Sequence, residues 1–220
     1  MPHDSPHIPD DGRRPIRCER VLEALASVPR VAFVPEDQRD RWADDGPLPI
    51  GHSQTISQPY IVGIMLELLA VTGGVGGAGG SNVSGGRVLE IGAGSGYQAA
   101  LLAHLGCEVH TVEIIRSLAD RCAETLAGLG VDRVRVHHAD GFMGWPAAAP
   151  FDGIVIACAC DEVPPSLWSQ LSPGGRIVAP VRNDRGSEDL VVVCKGFDDS
   201  RSESIIMPVR FVPLTRELKS

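Results

Sequence analysis

The stretch Arg87-Val88-Leu89-Glu90-Ile91-Gly92-Ala93-Gly94-Ser95-Gly96-Tyr97 decides the fold of this 220-residue chain. Residues 87–91 predict a β-strand and residues 98–105, rich in Ala and Leu, predict a helix. Between them, Gly92, Gly94 and Gly96 let the backbone turn tightly and approach a ligand with no Cβ in the way. The helix start supplies N–H groups without intrahelical partners. A strand, a glycine turn and a helix in this order open many nucleotide-binding folds.

Working downstream, strands and helices alternate. Strands are expected at 109–112, 134–136, 152–159, 176–180 and 190–194, with a last extended run at 204–212, and helices at 118–129 and 166–171. The pattern predicts a Rossmann-like α/β fold, a mostly parallel sheet with helices on both faces, and its apolar central strands suit burial on both sides.

The acids around the loop narrow its ligand. Glu113 ends the next strand, 21 residues after Gly92, where a carboxylate can accept hydrogen bonds from a ribose diol; a surface acid following a strand is the plainer reading. A dinucleotide site wants Gly or Ala at the sixth position of the loop, where this chain has Tyr97. Glu90 lies just before the loop, awkward for a pyrophosphate but suited to a sulfonium or ammonium group. The balance favours S-adenosylmethionine over NAD or FAD. Asp140, followed by Gly141, falls after the 134–136 strand, where it either caps a turn or accepts from an adenine amino group. Cofactor contacts are thus expected at Glu90, Gly92, Ala93, Gly94, Ser95, Gly96, Glu113, Ile114, Asp140 and Gly141.

Upstream, TGGVGGAGGSNVSGG at 72–86 reads as a flexible connector. Before it, Pro59 begins a helix with Ile61, Met65, Leu68 and Leu69 on its buried face. Residues 30–59 show no lasting periodicity, and so long a loop in a compact protein suggests a lid or binding segment. A further helix from Cys18 stops at Pro29, and residues 1–17 read as a poorly ordered arm. The expected organisation is one domain over 18–220: a substrate-side segment (18–71), the connector, and a cofactor-binding core (87–220).

Composition sets the outer limits. A hydrophobic fraction of 43% is ordinary for a globular protein, and 20 Lys plus Arg against 28 Asp plus Glu give a formal charge of −8. That charge argues against nonspecific binding to nucleic acid or an anionic membrane. Glu67 interrupts the most apolar run, 61–71, so no membrane span is expected. The six cysteines form no CxxC pair and no zinc pattern. With no signal peptide apparent, a cytoplasmic setting is expected, as is a monomer.

The segment 47–60, PLPIGHSQTISQPY, gathers hydroxyls, an amide and His52 between prolines and a helix start. It can collect the polar groups of a substrate through Thr55, Ser57 and backbone N–H groups, or simply end in a helix cap. Here the chain resembles the protein-L-isoaspartate (D-aspartate) O-methyltransferase family. The matching stretches are VLEALASVPRVAFVPE (21–36), PLPIGHSQTISQPYIV (47–62), VLEIGAGSGYQAALLA (88–103), LSPGGRIVAPV (171–181) and VRFVPLTR (209–216). The resemblance implies S-adenosylmethionine-dependent methylation of the α-carboxylate of isoaspartyl residues in damaged proteins or peptides, with S-adenosylhomocysteine as product. It places the family's active-site serine at Ser57, in contact with the acceptor, with Thr55 supporting the loop and 209–214 lining the peptide side. An ionised carboxylate needs no general base, so Ser57 is expected to orient rather than attack.

Four features depart from the family pattern. The N-terminal arm stands where a helix is usual, Arg41-Trp42-Ala43-Asp44-Asp45-Gly46 replaces an aromatic approach to the acceptor loop, the connector is longer, and the small, Pro-containing segment after the fourth strand reads Ala157-Cys158-Ala159-Cys160-Asp161-Glu162-Val163-Pro164. Cys160 and Asp161 are accordingly expected to add polarity near the acceptor. A diverged carboxyl methyltransferase acting on a biosynthetic peptide or small carboxylic acid is the alternative enzyme, and a noncatalytic binding protein the alternative of another class.

Overall fold

The computed structural model describes residues 12–70 and 86–216. Residues 1–11 of the expected arm, and all of the 72–86 connector but Gly86, lie outside the described residues. The segment before the connector holds helix α1 (Glu19–Ser27), two short 3-10 turns (Arg30–Phe33, Glu36–Arg41), a hairpin of β1 (Leu48–Gly51) and β2 (Gln54–Ile56), and helix α2 (Pro59–Leu68). The stretch 30–59 thus contains structure that its sequence hides. Elements of three to six residues are too short to show a period, and Pro49 and Gly51 disguise β1.

The remainder forms one seven-stranded sheet. Its elements are β3 (Arg87–Ile91), α3 (Tyr97–His104), β4 (Glu108–Glu113), α4 (Arg116–Gly128), β5 (Val134–His138), β6 (Phe151–Ile156), α5 (Pro165–Gln170), β7 (Leu171–Arg182), β8 (Glu188–Lys195) and β9 (Arg201–Val209). The order is β5-β4-β3-β6-β7-β8-β9, parallel from β5 to β7 and antiparallel thereafter. The expected Rossmann-like sheet is present. Its antiparallel end follows from the short links 183–187 and 196–200, too short for a parallel crossover.

Alternation along each strand divides the core. Val88, Val109, Val155 and Val178 join the cluster that holds α1 to α4, while Leu89, Ile154, Ile156 and Ile177 face the cluster of Val163 and Leu167 beside α5. Chain order reverses at β3, whose neighbours are β4 and β6, and ligands of such sheets bind at the carboxyl ends beside this switch point. The strand expected at 152–159 ends at Ile156; beyond it, Ala159 and Cys160 make single bridges to Pro213 and Val181.

Residues 12–17 lie against α2. Arg14 pairs with Glu67 at 2.7 Å, and the Arg17 and Cys18 N–H groups donate to the same carboxylate at 2.5 and 2.8 Å. Ile16 packs so close to Gly63 that a Cβ there would meet Ile16 Cδ1 at 2.5 Å. The acid that breaks the apolar run 61–71 is therefore the anchor of the preceding segment.

Candidate functional site

The glycine loop leaves β3 with Gly92, Gly94 and Gly96 at φ of +91°, +53° and +89°, in a region that residues with a Cβ rarely occupy. Glu113 fixes the loop to β4. Its Oε2 accepts from the Gly94 N–H, and its Oε1 from those of Ile114 and Ile115, each at 2.9 Å. The carboxylate lines the cleft and is itself buried; Oε1 already accepts two N–H groups, while Oε2 accepts one and retains a second lone pair for a hydroxyl donor.

A cleft opens beside this loop. Among its walls are Gly92, Gly94, Glu113, Ile114 and Gly141, the hairpin residues Gln54 and Thr55, and the chain from Val212 to Thr215. Gly141 lies so near Ile91 that a Cβ would meet Cγ2 at 2.5 Å. Asp140 caps the turn, its Oδ1 accepting from the Phe142 N–H at 2.9 Å. Its Oδ2 is 3.8 Å from Arg216 Nε, and the Arg216 guanidinium lies 4.8 Å from the Phe142 ring centre. The turn-cap reading of Asp140 is therefore realised, and Gly141 rather than Asp140 lines the cavity.

A smaller pocket behind the loop touches Ser57, Glu90, Ala93, Ser95, Tyr97 and Gln98, among others. Glu90 is fully buried; Oε2 accepts from the Thr111 hydroxyl at 2.5 Å while Oε1 has no partner. Tyr97 Oη and Gln98 Nε2 are also buried and unpartnered. Three orphaned polar atoms around one pocket are unusual, because buried polar groups are nearly always paired. They fit a polar ligand reaching the loop, and Glu90 suits the cationic end of S-adenosylmethionine. Burial pushes the Glu90 carboxyl up to about 8, against the pull of the Thr111 hydrogen bond and with help from nearby Glu113.

This shift has a sign that can be checked. In the ligand-free protein the folded state keeps the Glu90 proton up to about pH 8, whereas the unfolded chain loses it near 4.5. Between these values the unfolded state binds fewer protons, so Glu90 makes stability fall as pH rises, by up to about 1.4 kcal/mol per pH unit. Glu90→Gln is expected to remove that component. Denaturant unfolding at pH 5, 6, 7 and 8 measures it, and identical slopes in wild type and variant would contradict the assignment.

The acceptor side is built by the β1–β2 hairpin. His52 and Ser53 turn its tip at φ of 52° and 57°. His52 Nε2 lies 2.8 Å from Ser117 Oγ, and Arg121 donates to the Ile50 carbonyl, so both contacts pin the hairpin to α4. His52 thus serves the hairpin tip and lines none of the three cavities. Ser57 lines both the small pocket and an open groove shared with Tyr60 and the chain from Met207 to Pro213. Thr55 and Ala157 border all three cavities, which makes them the junction between the cofactor side and the groove. Among the described residues, Ser57 Oγ makes no hydrogen bond and is available to a ligand.

Two residues that no local pattern announces hold this side in place. Arg30 is fully buried; it donates to the Trp42 and Asp44 carbonyls at 2.6 and 3.0 Å, and to those of Gly46 and Ser57 at 2.8 and 3.3 Å. Burial lowers its pKa, partly offset by Tyr97, Asp45 and Asp44. Asp45 accepts from the Tyr60 N–H at 3.0 Å, from Gln58 Nε2 at 2.9 Å and from Arg13 at 2.8 Å. The cap of α2 is therefore Asp45, 15 residues upstream of Tyr60, and neither Ser57 nor Gln58 caps the helix with its side chain. The only advance sign was the Asp44-Asp45 pair before PLPIG.

Cys160 and Asp161 do not reach the acceptor groove. Cys160 is buried and bridged to Val181, and Asp161 pairs with Arg182 on β7. Ala157 and Cys158 border the cofactor cleft instead, because β6 ends at Ile156 and turns the next residues toward β3. Burial pushes the Cys158 thiol up, so it carries no thiolate there. Among the described residues no His, Cys, Asp and Glu cluster could hold a metal, and no helix is long and apolar enough to cross a membrane.

Comparison with known proteins places this geometry in context. The profile described as "Protein-L-isoaspartate(D-aspartate) O-methyltransferase (PCMT)" matches residues 11–219. The chain is 50% identical over 202 residues to protein-L-isoaspartate O-methyltransferase 1 of Rhodopseudomonas palustris (strain HaA2), covering 91% of this chain and 78% of that protein. A solved protein-L-isoaspartate O-methyltransferase superposes with a TM-score of 0.79 at 25% identity, over 92% of this chain and 63% of its own. A Plasmodium falciparum structure titled a putative protein-L-isoaspartate O-methyltransferase in complex with S-adenosyl-L-homocysteine has the same fold. Its TM-score is 0.77 at 21% identity, over 93% of this chain and 94% of its own.

Proposed function

Because the chain belongs to the protein-L-isoaspartate(D-aspartate) O-methyltransferase family, we propose that it transfers a methyl group from S-adenosylmethionine to the α-carboxylate of isoaspartyl residues in damaged proteins or peptides. The observation that carries this reading is the junction at Thr55 and Ala157, where a cleft beside the glycine loop meets a groove lined by Ser57. When bound, S-adenosylmethionine supplies an activated methyl group and its own leaving group.

The residues of the chain then have separate tasks. Glu90 and the 92–96 loop hold the charged end of the cofactor, Glu113 and Ile114 its ribose, and Gly141, on the turn that Asp140 caps, its adenine. Ser57 donates a hydrogen bond to one oxygen of the acceptor carboxylate and aims the other at the junction. Thr55 supports it from β2. The carboxylate is ionised at neutral pH and requires no base, so alignment and exclusion of water are what the protein contributes. The proposal is of one methyltransferase domain, working as a monomer in a reducing, cytoplasmic setting; all six cysteines are free and four of them are buried.

The test pairs an isoaspartyl peptide with its normal aspartyl counterpart, with methyl transfer expected only to the first. Equal transfer to both, or efficient transfer only to small carboxylic acids, would overturn the reading. Ser57→Ala is expected to reduce transfer about ten- to hundredfold, the worth of a hydrogen bond to a charged group. Calorimetry should show S-adenosylhomocysteine affinity within about twofold of wild type, since Ser57 acts on the acceptor. Parallel loss of affinity and rate would remove Ser57 from that role.

A further inference from the structure

We infer that Arg210 makes this site selective for isoaspartyl segments bearing an acidic residue about two positions from the isoaspartyl itself. The inference rests on the acceptor reading above and adds which acceptors the groove prefers.

The chain carries a formal charge of −8, yet among the described residues the groove that contains Ser57 has no Asp or Glu in its wall; its ionisable side chains there are Arg13, Tyr60 and Arg210. An acidic protein has lined its acceptor groove with guanidinium groups. Arg13 is spoken for, paired with Asp45 at 2.8 Å and stacked 4.0 Å from the Tyr60 ring centre. Arg210 is exposed and makes no ion pair among the described residues. On the adjoining strand Glu188 stands opposite Val209, and its Oε2 accepts the Phe211 N–H at 2.6 Å. Arg210 is thus the uncompensated cation of the groove.

Its position sets the spacing. Val212 and Pro213 border both the cofactor cleft and the groove, so the reacting end of an acceptor lies beside them. Arg210 is two residues before Val212, roughly 7 Å along an extended chain at about 3.3 Å per residue. An acceptor lying extended beside this segment covers the same span with two residues and brings its next side chain on that face to the guanidinium. A carboxylate there meets a planar donor fork suited to it, whereas a lysine meets like charge.

Isoaspartyl peptides differing only in the residue two positions away, on either side, test this with Glu, Gln or Lys at that place. Fluorescence polarisation on the protein saturated with S-adenosylhomocysteine gives Kd, and initial rates give kcat/KM. At low salt Glu is expected to outrank Gln, and Gln to outrank Lys, by about two- to fivefold per step. At about 0.5 M salt the ranking should compress, because exposed charges are screened. Arg210→Gln should flatten the order and Arg210→Glu reverse it, each with an unchanged melting temperature because the side chain is exposed. A flat ranking in the wild type, or a wild-type order retained in Arg210→Glu, overturns the inference. If S-adenosylhomocysteine binds but no isoaspartyl peptide does, the acceptor reading itself fails and takes this inference with it, an outcome distinct from a flat ranking.

Discussion

Arg30→Ala is expected to lower the melting temperature by roughly 6 to 20 °C and to abolish most transfer at temperatures where the variant is still folded. Arg30 satisfies four main-chain carbonyls from a position with no exposed surface. An acceptor left unpaired out of water costs on the order of 1–3 kcal/mol; these four bonds are part-buried, and water entering the vacated space recovers part of the cost, so a net loss of about 3–5 kcal/mol follows. In a domain of this size each kcal/mol shifts the midpoint by about 2–4 °C. The loss in transfer has a separate origin. One of the four carbonyls belongs to Ser57, so removing the guanidinium frees the backbone from which the orienting hydroxyl projects. Arg30→Lys keeps a charge and up to three donors but not the fork, and should recover part of the stability and less of the rate. Thermal melts with rate measurements at a temperature well below each midpoint check both parts. A midpoint within about 2 °C of wild type would show that those carbonyls do not depend on Arg30.

Gly96→Ala should weaken S-adenosylhomocysteine binding by at least about tenfold and destabilise the fold. Gly96 occupies the left-handed region at φ +89°, which costs a residue with a Cβ about 1–2 kcal/mol. The added Cβ would also sit 2.8 Å from Cys122 Sγ on α4, which is buried and cannot swing away. Relief must come from the loop, whose Gly94 N–H is held by Glu113 and whose Ala93 carbonyl accepts the Gly96 N–H at 2.8 Å. Moving it displaces the N–H groups that face the ligand. Two comparisons separate the causes. Gly130→Ala at φ +69° has nothing within 4 Å and should lose about 1 kcal/mol of stability with affinity intact. Gly96→Ala combined with Cys122→Ala removes the close contact but not the backbone strain, and should recover only part of the affinity. Calorimetric titration is the readout. Wild-type affinity in Gly96→Ala would show that the loop does not need its left-handed turn.

What could be read from residues alone follows the range of the forces involved. Strand β3, its glycine turn and the helix beyond are specified by neighbours in sequence, and the parallel strands declare themselves by runs such as Ile154-Val155-Ile156. The offset that βαβ geometry imposes singles out Glu113, and the structure sets its carboxylate at the cleft, where it accepts N–H groups of the glycine loop and of the chain after β4. The acceptor side resisted the same approach. Arg30 and Asp45 act across 27 and 15 residues on chain that is neither strand nor helix, and no period links them to Ser57 or Tyr60. The family resemblance pointed to Ser57, and the groove that Ser57 and Arg210 line appears only once β9 returns beside the hairpin. Cys160 and Asp161 misled for a related reason. Their place in the chain is close to the site, and their side chains turn toward β7.

The two halves of the site come from different parts of the chain. Residues 90–141 supply about half of the cofactor-facing wall, while the acceptor groove is assembled from residues 13–61 and 207–213, and Thr55, Ala157, Val212 and Pro213 border both. Substitutions at groove positions that do not border the cleft, such as Ile61 or Arg210, can therefore retune which damaged segments are accepted while the nucleotide pocket keeps its sequence. Exchanging the two flanks together, with the shared border positions kept, is the way to transplant acceptor preference from one member to another.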